Sequence, residues 1–177
     1  PTGSTEPVHV SGLVSGTGST VWISQSPTFI APTALAEVAL YATVTRGGGA
    51  LEGINYASTL LDDSVAFTAE DRDYFTSFLH SVGLADLADL PPEALSAGQM
   101  RRLAIARALA RVATLQAQED RVTVLIDEPT AHLDPVSAAK VNVALAALQE
   151  TGATLIIVTH DTALAAATNN LLQATSK

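Results

Sequence analysis

Apolar residues along this chain fall into two kinds of pattern. Three short runs have the β-branched and aromatic content of strands, at residues 20–24, 122–126 and 154–159. Longer stretches repeat apolar residues at helical spacing and predict helices, over residues 33–41, 68–82, 97–113, 135–149 and 162–167. Weaker strand signals lie at residues 8–10 and 171–172. The alternation of strands and helices predicts an α/β fold with a parallel sheet, although three strong strands are few for a sheet covered on both faces.

Residues with strong positional preferences mark the ends of several predicted helices. Thr68, Ser96 and Asp134 each stand where an N-cap is expected. Gly83 follows the helix at 68–82, as a C-terminal cap would. The helix that begins after Ser96 is apolar almost all round, which predicts that it is buried.

Composition and charge exclude several classes of protein. With 47% hydrophobic and 15% charged residues, the 177-residue chain is expected to fold and to be soluble. A formal net charge of −9 disfavours nucleic acid or an anionic membrane as a general partner. The absence of cysteine fits a reducing compartment, and no apolar run approaches the ~20 residues of a membrane helix.

Four of the nine basic residues share one predicted helix, so any basic patch would be local: Arg101, Arg102, Arg107 and Arg111. Arg107 and Arg111 lie four residues apart and therefore on one face. This spacing favours a solvated edge or an edge paired with carboxylates.

Polar residues follow each of the three strong strands. Gln25 comes just after the first, Asp127 and Glu128 end the second, and His160 ends the third. Open α/β sheets bind ligands at the carboxyl ends of their strands. Successive residues of a strand point to opposite faces, so one carboxylate could face a metal and its neighbour a water. Each residue also has a simpler interpretation, because such carboxylates are common and an isolated histidine is more often structural.

The segment LSAGQ at residues 95–99 opens the buried helix. Free backbone N–H groups and the helix dipole make such a start a candidate anion site, and Ser96 and Gly98 stand there. An N-cap alone would explain Ser96 equally well.

The order of these motifs resembles the ATP-binding domain of ABC transporters. Gln25 after a strand, then LSAGQ, then a strand into DEPTAHLD, then a strand into TH cover roughly residues 20–172. The resemblance implies a P-loop NTPase-like (RecA-like) parallel sheet core, incomplete here, with an inserted α-helical subdomain. It implies three segments: a partial core with the Q-loop strand (1–32), the helical subdomain (33–94), and the half with the signature helix, Walker B, D-loop and H-loop (95–177).

The resemblance also implies roles for these residues in one domain's own ATP site. Gln25 and Asp127 would contact Mg²⁺, with Gln25 also sensing a transmembrane partner. Glu128 would be the general base and His160 the switch histidine. In the complete domain the cofactors would therefore be ATP and Mg²⁺.

Another set of residues would act on the ATP of a second, head-to-tail domain. By resemblance, Ser96, Gly98 and Gln99 would bind the γ-phosphate held by the partner, and Asp134 would lie at the dimer seam. The implied partners are a second ATPase domain and the membrane domains of an exporter, without nucleic acid, at the cytoplasmic face of the plasma (inner) membrane.

The sequence departs from the family at its most specific motif. The phosphate-binding loop G-x-x-x-x-G-K-[ST] is absent, and neither Lys140 nor Lys177 follows a Gly-rich turn. We therefore expect a fragment that begins downstream of the P-loop, binds ATP weakly or not at all by itself and is inactive alone, although the full-length protein would hydrolyse ATP. The Gly- and Glu-containing segment that precedes the signature in exporters is also replaced, by LPPEA at 90–94.

Within the family, DEPTAHLD and TVWISQSPTFI look like the thiol-exporter subunit needed for cytochrome bd assembly. Two alternatives remain. A degenerate domain would keep the fold for dimerisation or regulation without catalysis. An ATPase of the chromosome-maintenance class would share the signature, but it would carry long coiled coils, and no sustained heptads occur here.

Overall fold

The computed structural model describes residues 18–43 and 67–166. Three strands form its sheet: β1 (Ser19–Ile23), β2 (Val122–Asp127) and β3 (Thr154–Val158). They lie in the order β1-β2-β3 and both neighbouring pairs are parallel. The predicted α/β fold with a parallel sheet is therefore confirmed.

The helices match the predicted ones to within a few residues. Their observed bounds are α1 (Ala34–Thr43), α2 (Ala69–Ser81), α3 (Ala97–Gln116), α4 (Pro135–Glu150) and α5 (Thr162–Ala166). Two single 3₁₀ turns, Ala85–Leu87 and Pro92–Ala94, connect α2 to α3. The weak strand signals at 8–10 and 171–172 lie outside the described residues.

The predicted helix caps are present. The Thr68 hydroxyl accepts from the Asp71 amide, and the Asp134 carboxylate accepts from the amides of Val136 and Ser137. Gly83 ends α2 with φ +67°, a left-handed conformation that glycine adopts without steric cost. These local signals fix where the chain enters and leaves its helices.

Helix α3 is the centre of the molecule. It packs against α1, α2, α4 and strands β1 and β2. Apolar residues on several of its faces are buried, including Leu103, Ile105, Leu109 and Val112. The prediction that this helix is buried is confirmed. The described parts of 1–32, 33–94 and 95–177 share one core cluster, and these segment boundaries stay predictions.

The arginines of α3 point into the protein, so they do not form a surface patch. Arg102 is 8% exposed, and its Nη1 donates to the carbonyls of Val82 (2.7 Å) and Gly83 (2.9 Å). A guanidinium at this place complements the partial negative charge at the end of α2. Arg107 pairs with the buried carboxylate of Glu37, as one of the two sequence interpretations expected.

The sheet is covered by helices on one face only, within the described ranges. Val21, Val124 and Ile126 are buried against the helices. On the other face, Trp22, Leu125 and Ile156 are register partners in one row across the three strands. All three are exposed, Trp22 by 64%. Within the described residues the sheet is therefore not covered on both faces, as we expected from so few strands.

Helices α3 and α4 are in close contact at Gly98. A Cβ added there would lie 2.9 Å from the Ser137 Cβ and 3.1 Å from its Oγ. Gly98 is buried at this contact, so its lack of a side chain has a packing reason in this chain.

Replacing Gly98 with alanine is expected to destabilise the protein by about 1–3 kcal/mol, the usual cost of overpacking. The alanine Cβ would push against the Ser137 Cβ, which α4 holds in place. Urea unfolding of Gly98→Ala, Ser137→Gly and the double variant measures the effect. We expect the double variant to be more stable than the sum of the single changes predicts, and additivity would contradict the contact.

Candidate active site

The three strands end at one edge of the sheet. Ile23, Ile126 and Ile157 are register partners in adjacent strands, so the residues that follow them emerge side by side. Gln25 follows β1, and Asp127 is the last residue of β2. His160 follows β3. The structure therefore carries the predicted Gln25, Asp127, Glu128 and His160 on one edge of the sheet.

Glu128 has a left-handed backbone conformation with φ +45°. For a residue other than glycine this conformation carries strain, and such strain is often found at functional sites. The Glu128 amide donates to the Val158 carbonyl at 2.8 Å, and its Oε1 accepts from the His160 amide at 3.0 Å. The turn after β2 therefore directs this carboxylate towards the end of β3.

His160 contributes its backbone amide to this contact, and its imidazole lies near the same carboxylate. The side chain is fully exposed, and its Nε2 lies 3.7 Å from Glu128 Oε1. A histidine that served packing would be buried, so the structural interpretation does not hold for this residue. The two residues predicted as catalytic, Glu128 and His160, are in direct contact.

Arg101 of α3 lies beside the strand ends, a position that no sequence pattern predicted. Its Nη1 donates to the Ser24 carbonyl at 3.4 Å, one residue before Gln25. Burial lowers the pKa of the Arg101 guanidinium, and attraction to Asp127 and Glu128 partly offsets that effect. The positive charge of Arg101 is therefore attracted by Asp127, at the end of β2, and by Glu128 after it.

Thr130 and Asp161 are two further residues that the sequence did not identify. The buried Thr130 hydroxyl donates to Asp161 Oδ2 at 3.0 Å and so ties the turn after β2 to the turn after β3. Asp161 Oδ1 accepts from the amides of Ala163 (2.9 Å) and Leu164 (3.2 Å) at the start of α5. The Leu164 amide, and then the Thr130 hydroxyl, hold the pKa of Asp161 below its ordinary value. Asp161 thus stabilises the loop that carries His160.

The remaining predicted residues form a group at the starts of α3 and α4. Ser96 and Gln99 make a reciprocal capping box, in which each side chain accepts from the other's backbone amide at 3.3 and 2.7 Å. Gly98 packs on Ser137, whose hydrogen bonds hold the pKa of Asp134 below its ordinary value. Each of these residues thus has a local structural role, and their action on phosphate stays a prediction.

The donor set at the strand ends suits Mg²⁺ only together with phosphate. The described residues contain no group of three or more His, Cys, Asp or Glu side chains placed to hold a metal. Mg²⁺ is usually bound by one or two carboxylates plus phosphate oxygens and waters. Asp127, half-buried at the end of β2, fits that pattern as a single carboxylate ligand.

A family model described as "AAA domain, putative AbiEii toxin, Type IV TA system" matches residues 44–166. The chain belongs to this AAA-domain family. The matched segment contains α2 to α5, and so it includes Asp127, Glu128 and His160.

Curated relatives of this AAA domain are ATP-binding proteins of ABC transporters. A probable amino-acid ABC transporter ATP-binding protein of Haemophilus influenzae is 43% identical over 93 residues, which cover 52% of this chain and 33% of the relative. The macrolide export ATP-binding/permease protein MacB of Salmonella typhimurium is 40% identical over 92 residues, covering 52% and 13%. The matched part of this AAA domain spans a third or less of these relatives.

Solved structures confirm the fold of the AAA domain as that of an ATP-binding cassette. The dimeric cassette MJ0796, bound to ADP and Pi, is 26% identical with a TM-score of 0.55, covering 84% of this chain and 55% of that one. The cassette MJ1267 is 24% identical with a TM-score of 0.56, covering 81% and 51%. The P-loop NTPase-like fold class is therefore confirmed.

No helix within the described ranges of this AAA domain is long and apolar enough to cross a membrane.

The ionised Asp161 carboxylate is expected to make the stability of the AAA domain depend on acid pH. Because its folded pKa lies below the ordinary 3.8, its contribution is complete above that value and is lost as the pH falls through the folded pKa. In Asp161→Asn the amide cannot ionise, so stability at neutral pH falls and the loss on acidification becomes smaller. Urea unfolding between pH 7 and pH ~2 measures both effects.

The exposed Asp86→Asn, outside the site, is the matched control and should keep the parent's pH dependence. An acid loss as large in Asp161→Asn as in the parent would contradict the role of the carboxylate.

Proposed function

We propose that this chain is part of the ATP-hydrolysing subunit of an ABC exporter, and that the phosphate-binding loop lies outside these 177 residues. The homology to ATP-binding subunits of ABC transporters, among them the exporter MacB, supports the general assignment. The resemblance to the thiol-exporter subunit of cytochrome bd assembly rests on DEPTAHLD and TVWISQSPTFI, and we propose it as the subfamily.

The observation that carries this proposal is the contact between Glu128 and His160 at the strand ends. A carboxylate with one oxygen held by an amide is oriented before any substrate binds. Oε1 accepts from the His160 amide at 3.0 Å, whereas Oε2 has only a long 3.5 Å contact with the Thr159 hydroxyl. Oε2 is therefore the oxygen free to accept a proton from an attacking water.

The neighbouring residues divide the remaining work. Asp127 would hold Mg²⁺, which when bound neutralises phosphate charge. Gln25, which is exposed after β1, would orient the attacking water from the end of that strand. The exposed His160 imidazole would donate to a phosphate oxygen. All three roles rely on positioning and electrostatics, which supply most of catalysis in phosphoryl transfer.

Ser96, Gly98, Gln99 and Asp134 would serve the ATP of a second domain. The capping box fixes the start of α3 and leaves the Ser96 side chain exposed. The dimeric state of the cassette MJ0796 supports a pair of domains as the working unit. We propose that this dimer drives membrane domains at the cytoplasmic face of the inner membrane.

Two further observations support the proposal that the phosphate-binding loop lies outside these residues. The open sheet face bears a row of exposed apolar residues, Trp22, Leu125 and Ile156, and such a face is normally covered. The solved cassettes are also nearly twice as long as the part this chain matches. A part of the subunit outside these residues would supply the loop and cover this face.

The 177-residue chain is expected to bind Mg-ATP only weakly. Its sequence lacks the phosphate-binding loop, whose backbone amides and lysine bind phosphate in this fold. Isothermal titration of the chain with Mg-ATP tests this expectation. A dissociation constant in the micromolar range would contradict it.

In the complete subunit, Glu128→Gln should reduce ATP turnover at least ~100-fold, because the amide cannot accept the proton of water. ATP-dependent dimerisation, measured by sedimentation, should persist. Glu150→Gln, at the exposed end of α4, is the control and should turn over ATP normally. Unchanged turnover in Glu128→Gln would mean that another group is the base.

A further inference from the structure

The loop between β1 and α1 is fixed by a buried ion pair that links it to α3. Glu37, 2% exposed in the first turn of α1, turns its side chain back towards this loop. Its Oε2 accepts from the amides of Ile30 (3.0 Å) and Ala31 (2.8 Å). One carboxylate oxygen therefore satisfies two loop amides.

Arg107 of α3 holds the same loop from the other side. Its Nη1 donates to Glu37 Oε1 at 2.6 Å and to the Thr28 carbonyl at 2.8 Å. The guanidinium also lies over two aromatic rings, with its Cζ 4.6 Å from the centre of Phe29 and 4.8 Å from that of Tyr41. These contacts suit a planar, delocalised cation better than an ammonium group.

Residues 28–31 are thereby attached to α1 and α3 at once. The amides of Ala34 and Leu35 add to this attachment, since they donate to the carbonyls of Leu90 and Ala88 in the segment that leads to α3. Only residues 24–27 remain between the end of β1 and the fixed part of the loop, and Gln25 is among them. Arg101 holds the Ser24 carbonyl at the strand side.

We propose that Glu37 and Arg107 are positioning residues for Gln25: they confine movement of the loop to residues 24–27 and make Gln25 follow α3. This inference rests on the proposed function for its catalytic consequence. Ser96 begins the same helix. Gln25, which would face the domain's own ATP, and Ser96, which would face the partner's ATP, therefore both move with α3.

A buried ion pair does not by itself indicate such a role, because desolvation offsets much of its attraction. What distinguishes this pair is that both members also hydrogen-bond the loop backbone and leave the carbonyl of Thr28 and the amides of Ile30 and Ala31 satisfied. Removing one member frees those backbone groups as well as the partner charge.

The first test is site-resolved amide hydrogen exchange of the 177-residue chain. Arg107→Lys keeps the charge but cannot bridge Thr28, Glu37 and both rings, so the Ile30 and Ala31 amides should exchange at least ~10-fold faster. Amides of Val124 in β2 should change less than ~2-fold. Arg111→Lys, one turn further along the same face of α3, is the matched control and should leave Ile30 and Ala31 unchanged.

A second variant keeps the proposal testable if Arg107→Lys does not fold. Glu37→Gln keeps an oxygen for the loop amides and loses the ion pair, and we expect a smaller but local acceleration at Ile30 and Ala31. Exchange that is unchanged at these two amides, or that rises equally throughout β2, would overturn the proposal.

The second test uses ATP turnover by the complete subunit. Arg107→Lys should lower kcat by about 10-fold with little change in KM, and it should have no further effect in a Gln25→Ala background. Additive losses would show that Arg107 does not act through Gln25 and would overturn the positioning role. If the unmodified subunit does not hydrolyse ATP, the proposed function fails, whereas hydrogen exchange still decides whether the ion pair fixes the loop.

Discussion

The parallel register of three strands is the constraint on which the candidate site depends. Parallel strands end at the same edge of the sheet, so the residues that follow β1, β2 and β3 lie close together there. Glu128 hydrogen-bonds the end of β3, because its left-handed backbone directs the carboxylate to the His160 amide. A register shift of one residue would send that side chain to the other face of the sheet and separate the two residues.

Helix α3 supplies the second constraint, through arginines that point inwards. Arg101 interacts with the carboxylates at the strand ends, Arg102 caps α2, and Arg107 fixes the loop after β1. One helix therefore connects the sheet edge with both neighbouring helices. In the positioning role that we propose for Arg107, a movement of the first turn of α3, at Ser96, would be transmitted to the loop that carries Gln25.

Much of the fold could be predicted because local signals and periodicity agree. Thr68 and Asp134 act as the N-caps that their types suggest, and Gly83 has the positive φ that a C-terminal cap needs. The strand ends could be predicted because a buried apolar run stops at a carboxylate or histidine. The candidate residues came from motif order, since neither Gln25 nor His160 carries a local signal of its own.

What could not be predicted depends on contacts between distant segments. Thr130 and Asp161 are 31 residues apart and Glu37 and Arg107 are 70 apart, so no periodicity relates them. The arginines of α3 suggested a local basic patch, or an edge that is either solvated or paired with carboxylates. Arg107 is indeed paired with a carboxylate, but its partner Glu37 and its inward direction could not be predicted. Gly98 was predicted to bind phosphate, which stays a prediction, and its close contact with Ser137 is a separate packing reason for a glycine that no sequence pattern indicated.

We propose that these strand ends form a Mg²⁺-dependent ATPase site in the complete subunit. The decisive measurement is phosphate release from that subunit as a function of Mg²⁺ concentration, with Asp127→Asn beside the parent. We expect turnover that requires Mg²⁺ in the parent, and a large loss in Asp127→Asn that higher Mg²⁺ only partly restores. The same Mg²⁺ dependence in both proteins would contradict it.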